Sequence, residues 1–254
     1  MIYEKMPIKQ LEMVFAAGNI TPEQIEILRS ADSRVAVQRL IRKWERSVEE
    51  FNRVRQMYSY ERNFYEQNLW KVAGVDEAGR GPLAGPLVVA AVILPPEFYL
   101  PKINDSKKLS PKVRESLYPQ IIDQAIAVER VVVAPAVIDE LNIYQATRQA
   151  MRQAVSKLKP QPEAALIDAM ELNLSIPHQS LIKGDALSAS IAAASVVAKV
   201  ERDHMMDKLA EEYPEYGFVR HKGYGTAEHL AAIQQYGPCP EHRRSFEPIK
   251  SWRE

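Results

Sequence analysis

Two apolar segments on either side of a glycine-rich turn constrain the fold of this chain more than any other feature. The first reads KVAGVDE, from Lys71 to Glu77, and the second reads GPLVVAAVIL, from Gly85 to Leu94. Branched apolar residues favour β-strands, and the glycines between the two segments favour a turn. The pattern therefore predicts a buried antiparallel β-hairpin.

Helical and strand patterns alternate along the chain after this hairpin. The predicted helices are LSPKVRESLYPQIIDQAI, capped by Ser110, then YQATRQAMRQAVSKL, ended by Pro160, and GDALSASIAAASVVAKVERDHMMDKLAEEY, stopped by Pro214. The predicted strands are AIAVERVVVAP and EAALIDAM, the second of which ends on Asp168. This alternation predicts an α/β fold with a mixed central sheet flanked by helices.

The start of the chain has the periodicity of α-helices instead. The sequence TPEQ, beginning at Thr21, combines a capping box with a proline at the first helical position. A longer helix follows, in which apolar residues recur every three or four positions from Val37 to Tyr58. We therefore expect a helical N-terminal extension at residues 1–70 and a second domain at 71–254. Either the extension helps to grip a substrate or partner, or its long helix packs only on its own domain, and we favour the second interpretation.

Composition narrows the class of protein. The chain has 254 residues, of which 46% are hydrophobic and 26% charged, so it can bury a core and does not resemble a disordered chain. The single cysteine, Cys239, cannot form an intrachain disulfide, and we expect a reducing compartment. The sequence has no pattern of a secretory signal or membrane span, so a cytoplasmic location is expected. The 33 basic and 33 acidic residues cancel, so any affinity for nucleic acid must come from local basic patches.

Four carboxylates lie at the edges of apolar segments in three separate parts of the chain. Asp76 and Glu77 follow VAGV, Asp168 follows AALI, and Asp185 lies in LIKGDA, just before the long helix. A carboxylate in such a place destabilises the fold unless it is paired, hydrogen-bonded or bound to a metal. Two of them also have structural alternatives, since Asp185 could cap the helix and Asp168 could be a turn residue at a strand end.

Metal binding explains the four acids together. Oxygen ligands without cysteine or paired histidine suit Mg²⁺ or Mn²⁺. Crowded carboxylates raise each other's pKa, and a divalent cation relieves that repulsion. Two such ions about 4 Å apart are a known arrangement for phosphodiester hydrolysis.

The turn AGRGP follows the first two acids directly. Gly79 and Gly81 allow close approach of the backbone, and Arg80 between them can bind a phosphate. An ordinary hairpin turn with an exposed arginine is the alternative. The stretch GRGPLAG is not a dinucleotide-binding fingerprint, because its third glycine comes one residue late and a strand follows instead of a helix. This argues against a nucleotide-cofactor oxidoreductase.

Basic and aromatic residues gather in NDSKKLS, RHKGYG and EHRRSF. Each cluster alone is typical of a solvated surface. Lys107 lies in the first, and Tyr224 lies between two glycines in the second, where its ring has room to lie against a sugar or base. His204 and His229 lack the spacing of metal ligands, and we expect them to be surface or capping groups.

These motifs, in this order, resemble the ribonuclease HII family of bacterial type 2 ribonucleases H. The similarity runs from about Lys71 to Lys250 and includes GVDEAGRGPLAGPLVVAAVIL, NDSKKLS, ELNIYQAT, LIDAM, KGDALSASIAAASVVAKVERD, YPEYGFVRHKGYGT and HRRSFEPIK. The glycine–arginine–glycine turn is similar to the HII branch, since the sister HIII branch typically has glycine–threonine–glycine. The segment before Lys71 lies outside the common core of the family, and the resemblance assigns it no function.

The resemblance implies a ribonuclease H-like fold and a metal-dependent endoribonuclease. Such an enzyme hydrolyses the RNA strand of RNA–DNA hybrids and cuts 5′ to single ribonucleotides in duplex DNA, as in ribonucleotide excision. Asp76, Glu77, Asp168 and Asp185 match the acids that bind its metals and carry out catalysis. The products would have 3′-hydroxyl and 5′-phosphate ends.

The resemblance also implies roles in substrate binding. Gly79, Arg80 and Gly81 match the turn that contacts the 2′-hydroxyl and the adjoining backbone. Tyr224 matches a tyrosine that packs at the RNA–DNA junction, and Lys107 matches a lysine near the scissile phosphate. We expect a monomer. An HIII-like nuclease that prefers long hybrids and a non-catalytic nucleic-acid-binding protein on the same fold are the alternatives.

Overall fold

A computed structural model describes residues 6–252 of the chain. Residues 1–5 and 253–254, the outer ends of the two predicted domains, lie outside the described residues. The contacts divide the chain into two compact units, residues 1–55 and 56–254. This division falls earlier than residue 70, because the short helix at Ser59–Tyr65 packs within the second unit. The functional boundary at residue 70 stays a prediction.

The first unit is helical. Its helices are α1 (Ile8–Ala16), α2 (Pro22–Ala31) and α3 (Val35–Gln56). The predicted capping box at the start of α2 is confirmed, since Thr21 N donates to Gln24 Oε1 at 2.9 Å and Gln24 N donates to Thr21 Oγ1 at 3.3 Å. Six buried apolar residues of this unit form one cluster, made of Leu11, Ile20, Ile25, Leu28, Val37 and Ile41.

The second unit is an α/β structure. Its helices are α4 (Ser59–Tyr65), α5 (Pro111–Gln124), α6 (Pro135–Leu141), α7 (Ile143–Lys157), α8 (Gly184–Leu187), α9 (Ala189–Glu212), α10 (Phe218–His221) and α11 (Ala227–Tyr236). Its strands are β1 (Val72–Ala78), β2 (Leu87–Ile93), β3 (Ala127–Val133), β4 (Ala164–Asp168) and β5 (His178–Leu181). Among the described residues, no helix combines the length and the apolar character needed to cross a membrane.

The strands form one mixed sheet in the order β3-β2-β1-β4-β5. β1 pairs antiparallel with β2, which confirms the predicted hairpin, and β2 pairs antiparallel with β3. β4 pairs parallel with both β1 and β5. The sequence did not predict β5, because its four residues, HQSL, are mostly polar and lie at the sheet edge.

Helices cover both faces of this sheet. The apolar residues of α7 join those of β1 and β2 in one core cluster, and α9 packs against β1 and β2. The approach of α9 is close enough to require a glycine on β1. A Cβ added to Gly74 would lie 2.0 Å from the carbonyl carbon of Ser190 in α9. Alanine and serine residues at the start of α9 make this short distance sterically feasible.

The long helix predicted from Gly184 onward is interrupted at Ser188. This residue is extended, with φ −117° and ψ 131°, and its Oγ accepts from Ile191 N at 3.2 Å, so it caps α9. The Ser188 hydroxyl also donates to Glu61 Oε1 at 2.6 Å. The interruption leaves Asp185 in the separate single turn of α8, whose cap position is Lys183. The alternative that Asp185 caps a helix is therefore wrong.

Candidate active site

The carboxyl ends of two parallel strands bring the predicted acids together. Val75 on β1 lies opposite Ile167 on β4, so the residues that follow them, Asp76 and Asp168, are neighbours across the sheet. Asp185 reaches the same place from α8, which follows the next parallel strand, β5. One carboxylate oxygen from each of these three aspartates lies within 4.8 Å of the others. The structure thus unites three of the four predicted acids in one group, which we call the aspartate cluster.

Backbone groups hold the aspartate cluster in place. Gly184 N donates to Asp168 Oδ1 at 2.7 Å, which ties the start of α8 to the end of β4. A Cβ on Gly184 would lie 2.6 Å from Ile191 Cδ1 and 3.3 Å from Asp168 Oδ1, so a larger residue would push these elements apart. Asp76 Oδ1 accepts from Glu77 N at 2.7 Å.

The environment of the cluster disfavours three negative charges. Burial raises the pKa of Asp76, and the nearby charges of Glu77 and Asp168 raise it further. Burial also raises the pKa of Asp168. The pKa of Asp185 is raised to about 6 by burial and then by Asp105 and Asp168. Buried, mutually repelling carboxylates with no cysteine or histidine among them fit a hard divalent cation, which would neutralise the repulsion.

Glu77, the fourth predicted acid, is not one of the three clustered residues. It is half-buried on the strand position after Asp76, where side chains point to the other face. Burial raises its pKa, Arg80 opposes that shift, and Asp168 adds to it. Arg80 Nη1 lies 3.5 Å from Glu77 Oε1, so this acid links the cluster electrostatically to the adjoining turn.

Lys107 carries its charge beside the aspartate cluster. Its burial alone would lower its pKa, but the charges of Asp76 and Asp185, with those of Asp105 and Asp168, raise the pKa overall. Asp105 orders this segment, because its Oδ1 accepts from Lys107 N at 2.9 Å. Asp105 was not among the predicted site residues, although a carboxylate two residues before the lysine in NDSKKLS was a usable signal.

The predicted turn lies between the cluster and Tyr224. Gly79 has φ 95°, and a Cβ there would lie 2.1 Å from Arg202 Nε, so both conformation and space require glycine. The side chain of Arg80 is 40% exposed. A Cβ on Gly81 would meet Tyr224 Cε1 at 3.7 Å, so the Tyr224 ring lies next to this glycine. The ring itself is exposed to solvent.

Two buried arginines, which were not among the predicted site residues, donate hydrogen bonds to backbone carbonyls of the turn and of the residues that follow it. Arg243 Nη2 donates to Gly79 O at 2.6 Å and to Gly85 O at 2.9 Å. Arg202 Nε donates to Pro86 O at 2.9 Å. Burial, and then the charge of Arg202, lower the pKa of Arg243 to about 9. Basic runs such as HRRSF are usually exposed, so only the fold reveals that Arg243 is buried.

One expectation for the histidines is wrong. His204 is exposed, with Nε2 2.9 Å from Glu115 Oε1, as predicted for a surface group. His229 is fully buried, and its Nδ1 lies 2.9 Å from Tyr224 O. Its ring packs edge-on against Phe218 of α10, with centroids 5.5 Å apart, and its Nε2 lies 3.0 Å from His242 Nε2, so its burial depends on partners outside α11 that the local pattern does not indicate.

With a mixed sheet of this order and an aspartate cluster at the ends of β1 and β4, the protein is a nuclease of the ribonuclease H fold, as its relatives show. The solved ribonuclease H2 of Pyrococcus horikoshii OT3 is similar, with TM-score 0.61 and 29% identity over 71% of this chain and 96% of that chain. A family model described as Ribonuclease HII matches residues 73–249, and a Ribonuclease HII N-terminal domain model matches residues 7–70. The chain belongs to the ribonuclease HII family.

Curated relatives match almost the whole chain. A ribonuclease HII of Bacillus cytotoxicus is 51% identical over 251 residues, covering 97% of this chain and 96% of that protein. A ribonuclease HII of Geobacillus kaustophilus is 50% identical over 251 residues, with the same coverage. The predicted family, the α/β fold and the hydrolytic endoribonuclease activity on nucleic acid are thereby confirmed. The region before Lys71, to which the resemblance assigned no function, has a family model of its own.

Proposed function

We propose that this enzyme cuts duplex DNA on the 5′ side of single embedded ribonucleotides and also hydrolyses the RNA strand of RNA–DNA hybrids. One observation carries the proposal: Asp76 of the aspartate cluster is followed within four residues by Arg80 of the glycine-rich turn. A ribonucleotide differs from a deoxyribonucleotide by one hydroxyl on one sugar. In an enzyme that recognises this hydroxyl, the residues that bind the sugar must therefore lie within one nucleotide of the residues that act on the phosphate.

Asp76, Asp168 and Asp185, with Glu77 beside them, would hold Mg²⁺ or Mn²⁺ in a two-ion arrangement. The donor set supports this assignment, because it is made of carboxylates whose pKa values are raised by burial and repulsion. The bound ions would supply Lewis-acid stabilisation of the phosphate charge and an activated water. When no cation is bound, repulsion among these acids destabilises the folded protein.

The reaction breaks the bond between phosphorus and the 3′-oxygen of the preceding nucleotide. Water attacks the phosphorus in line with that bond and loses a proton, while the leaving 3′-oxygen gains one. The products are a 3′-hydroxyl end and a 5′-phosphate on the ribonucleotide. Lys107 would face the scissile phosphate, since its charge is held beside Asp76 and Asp185.

Recognition of the sugar falls to the turn. Gly79, Arg80 and Gly81 would contact the 2′-hydroxyl and its backbone, and Tyr224 would pack on the RNA–DNA junction. The proximity of Gly81 to the Tyr224 ring supports a shared surface for one nucleotide step. Loss of the hydroxyl leaves the polar groups that bind it unpaired, so rejection of DNA can be strong.

We also propose that residues 71–254 carry out catalysis and that residues 1–70 form a helical extension. The separate family models for 7–70 and 73–249 support this division. We further propose that the enzyme acts as a cytoplasmic monomer on ribonucleotide-containing DNA and on hybrids. Gel filtration with light scattering measures the oligomeric state, and a dimer at micromolar concentration would contradict this part of the proposal.

The deciding experiment is incubation with a labelled duplex that contains one ribonucleotide, in the presence of Mg²⁺, Mn²⁺ or EDTA. We expect one cut 5′ to the ribonucleotide with either metal and no cut in EDTA. An all-DNA duplex of the same sequence is the matched control. Efficient cleavage of a long hybrid with no cut at the single ribonucleotide would favour the HIII-like alternative. Binding that is insensitive to metal and gives no product would favour a non-catalytic protein.

A further inference from the structure

Three buried side chains form a continuous hydrogen-bonded row that ends at the loop of residues 222–226, which we call the Tyr224 loop. His229 Nδ1 lies 2.9 Å from Tyr224 O, His229 Nε2 lies 3.0 Å from His242 Nε2, and His242 Nδ1 lies 3.1 Å from Cys239 Sγ. All three side chains are buried, with exposures of 0%, 1% and 7% for His229, His242 and Cys239. We infer that this Cys239–His242–His229 row, which we call the relay, positions Tyr224 against the substrate.

The relay has one direction of donation. Both histidine rings are neutral near pH 7, because burial lowers the pKa of each to about 4. A carbonyl oxygen only accepts, so His229 Nδ1 must carry the hydrogen that it donates to Tyr224 O. His229 Nε2 then accepts from His242 Nε2–H, and His242 Nδ1 accepts from the Cys239 thiol. Each member thus fixes the tautomer of the next.

The relay is not arranged as a metal site. A separation of 3.0 Å between His229 Nε2 and His242 Nε2 is a hydrogen-bond distance. Cys239 approaches the other nitrogen of His242, on the opposite edge of the ring. The sulfur and the His229 nitrogen therefore do not converge on one point, as zinc ligands do. The relay instead fixes the orientation of the His229 ring, which donates a hydrogen bond to the backbone carbonyl of Tyr224.

That carbonyl belongs to the residue whose position matters for the proposed substrate contact. The backbone of Tyr224 is also held by donation from its own N to His221 O at 2.9 Å, and its carbonyl oxygen accepts from Thr226 N at 2.8 Å as well as from His229. Because the ring is exposed and lies 3.7 Å from the Cβ position of Gly81, its place beside the turn is set by the backbone. The inference rests on the proposed substrate role of Tyr224, with His229 as a positioning residue.

His242 also joins the relay to the turn itself. It forms an antiparallel β-bridge with Ala84, which follows the glycine–arginine–glycine segment. Leu83 N donates to Gly223 O at 2.8 Å, which ties the turn to the Tyr224 loop a second time. The relay thus contacts both parts of the proposed substrate surface, the Tyr224 loop and the glycine-rich turn. A change in the relay should alter the distance between Tyr224 and the turn without touching the aspartate cluster.

The test is a double-mutant cycle measured as kcat/KM on a duplex with one ribonucleotide. His229→Leu removes the side-chain donor to Tyr224 O and leaves only the backbone donor Thr226 N, and we expect a loss of roughly tenfold. In a Tyr224→Ala background the same change should cost less than about twofold, because the ring that it positions is absent. His229→Asn retains an N–H near the Nδ1 position and should recover most of the activity. His204→Leu, at an exposed histidine, is the matched control and should leave kcat/KM unchanged.

A merely structural role predicts a different outcome. If the relay only stabilises the core, the free-energy costs of His229→Leu and Tyr224→Ala will add, so that their fold-losses in kcat/KM multiply, and the inference is wrong. If His229→Leu does not fold, Cys239→Ala and Cys239→Ser repeat the cycle from the far end, where serine keeps a donor and alanine does not. The serine variant should then exceed the alanine variant, and equal activities of the two would overturn the inference.

A measurement independent of activity separates this inference from the proposed function. Nitrogen-15 NMR of the histidine rings in the full chain should identify the Nδ1–H tautomer at His229 and the Nε2–H tautomer at His242. The reverse tautomers would overturn the relay even if the enzyme cuts as proposed. Failure of the wild-type enzyme to cut at a ribonucleotide, with the expected tautomers observed, would overturn the proposed function alone.

Discussion

The Arg243 guanidinium donates from Nη2 to the carbonyl oxygen of Gly79 across 2.6 Å, although the two residues are 164 positions apart in the chain. The same nitrogen also donates to Gly85 O, so one side chain binds both ends of the connection between β1 and β2, residues 79–86, which includes the turn. Because these two carbonyl oxygens accept hydrogen bonds from the buried Arg243 side chain, they point away from the solvent-exposed surface of the turn. The geometry of the proposed sugar-binding surface therefore depends on a residue that lies behind it and is itself fully buried.

Replacing Arg243 with lysine tests this dependence. Arg243→Lys keeps the charge but loses the forked geometry, so two or more turn carbonyls lose their donors. We expect the free energy of unfolding to fall by about 1–3 kcal/mol and kcat/KM on a single-ribonucleotide duplex to fall at least tenfold. Urea denaturation and steady-state kinetics measure the two effects. Arg244→Lys, at the exposed neighbouring arginine, is the matched control, and equal effects of the two changes would contradict the role of Arg243.

Asp76→Asn should separate catalysis from folding. The amide is nearly isosteric with the carboxylate but removes a charge that burial, Glu77 and Asp168 all disfavour. We expect cleavage to be abolished, while the free energy of unfolding in EDTA stays the same or increases. Asp123→Asn, at an exposed acid on α5, should change neither property. Wild-type turnover by the Asp76→Asn variant would remove the basis of the metal mechanism.

The raised pKa of Asp185 gives a defined pH dependence in the absence of metal. Its pKa is raised from 3.8 to about 6, so the folded protein binds this proton more tightly than the unfolded chain does. The associated stabilisation is complete below pH 3.8 and is lost as the pH rises through about 6. In EDTA, we therefore expect Asp185→Asn to be more stable than wild type at pH 7.5, with the difference shrinking toward pH 4.5.

Denaturation of both proteins across this pH range measures the difference directly and cancels contributions that the two proteins share. Saturating Mg²⁺ should reverse the order at pH 7.5, because the metal stabilises the folded state of the protein that binds it. A stability difference that does not change with pH in EDTA would contradict the raised pKa.

Two glycines of the turn should respond differently to the same substitution. Gly79→Ala places a Cβ at positive φ and 2.1 Å from Arg202 Nε, so we expect a loss of about 2 kcal/mol or more in stability. Gly81→Ala meets only an ordinary contact of 3.7 Å with the Tyr224 ring. It should keep wild-type stability and lose activity, because its methyl group occupies the proposed substrate surface. Thermal unfolding and cleavage rates distinguish the two, and an active, stable Gly79→Ala variant would contradict the steric requirement for glycine at that position.

Truncation distinguishes the two boundaries of the N-terminal region. Removal of residues 1–70 deletes α4, whose Phe64 and Tyr65 lie in a core cluster with Val72 of β1. It also removes Glu61, which accepts from Ser190 N at 3.0 Å. We expect this truncation to unfold at lower urea concentration than a truncation of residues 1–55, as measured by circular dichroism. Equal midpoints would show that α4 contributes nothing to the stability of the second unit.

Local patterns in the sequence predicted the elements whose causes are local. The capping box at Thr21 and the helix cap at Ser110 depend on residues three positions away, and both were confirmed. The hairpin was predicted because both strands and their turn are continuous in sequence. The three clustered aspartates were identified because a carboxylate at the edge of an apolar segment destabilises the fold unless it has a partner.

Features that depend on distant partners were not predicted. The break at Ser188 is stabilised by Glu61, 127 positions away, and nothing within the helical pattern indicates it. Arg202 and Arg243 are buried because backbone carbonyls of the turn accept their hydrogens, which basic residues in a sequence do not reveal. His229 was expected to be a surface or capping group, and its burial was missed because its partners, His242 and Phe218, come from outside its helix.

The pairing of β1 with β4 has a consequence for how this enzyme could change. Adjacent strands lie about 4.8 Å apart in any sheet. The backbone hydrogen bonds between β1 and β4 therefore fix the spacing of Asp76 and Asp168. Surrounding loops can then lengthen, shorten or exchange residues without moving that pair. Changes in these loops can thus alter substrate preference, while the pairing of two strands keeps the distance between the two catalytic acids constant.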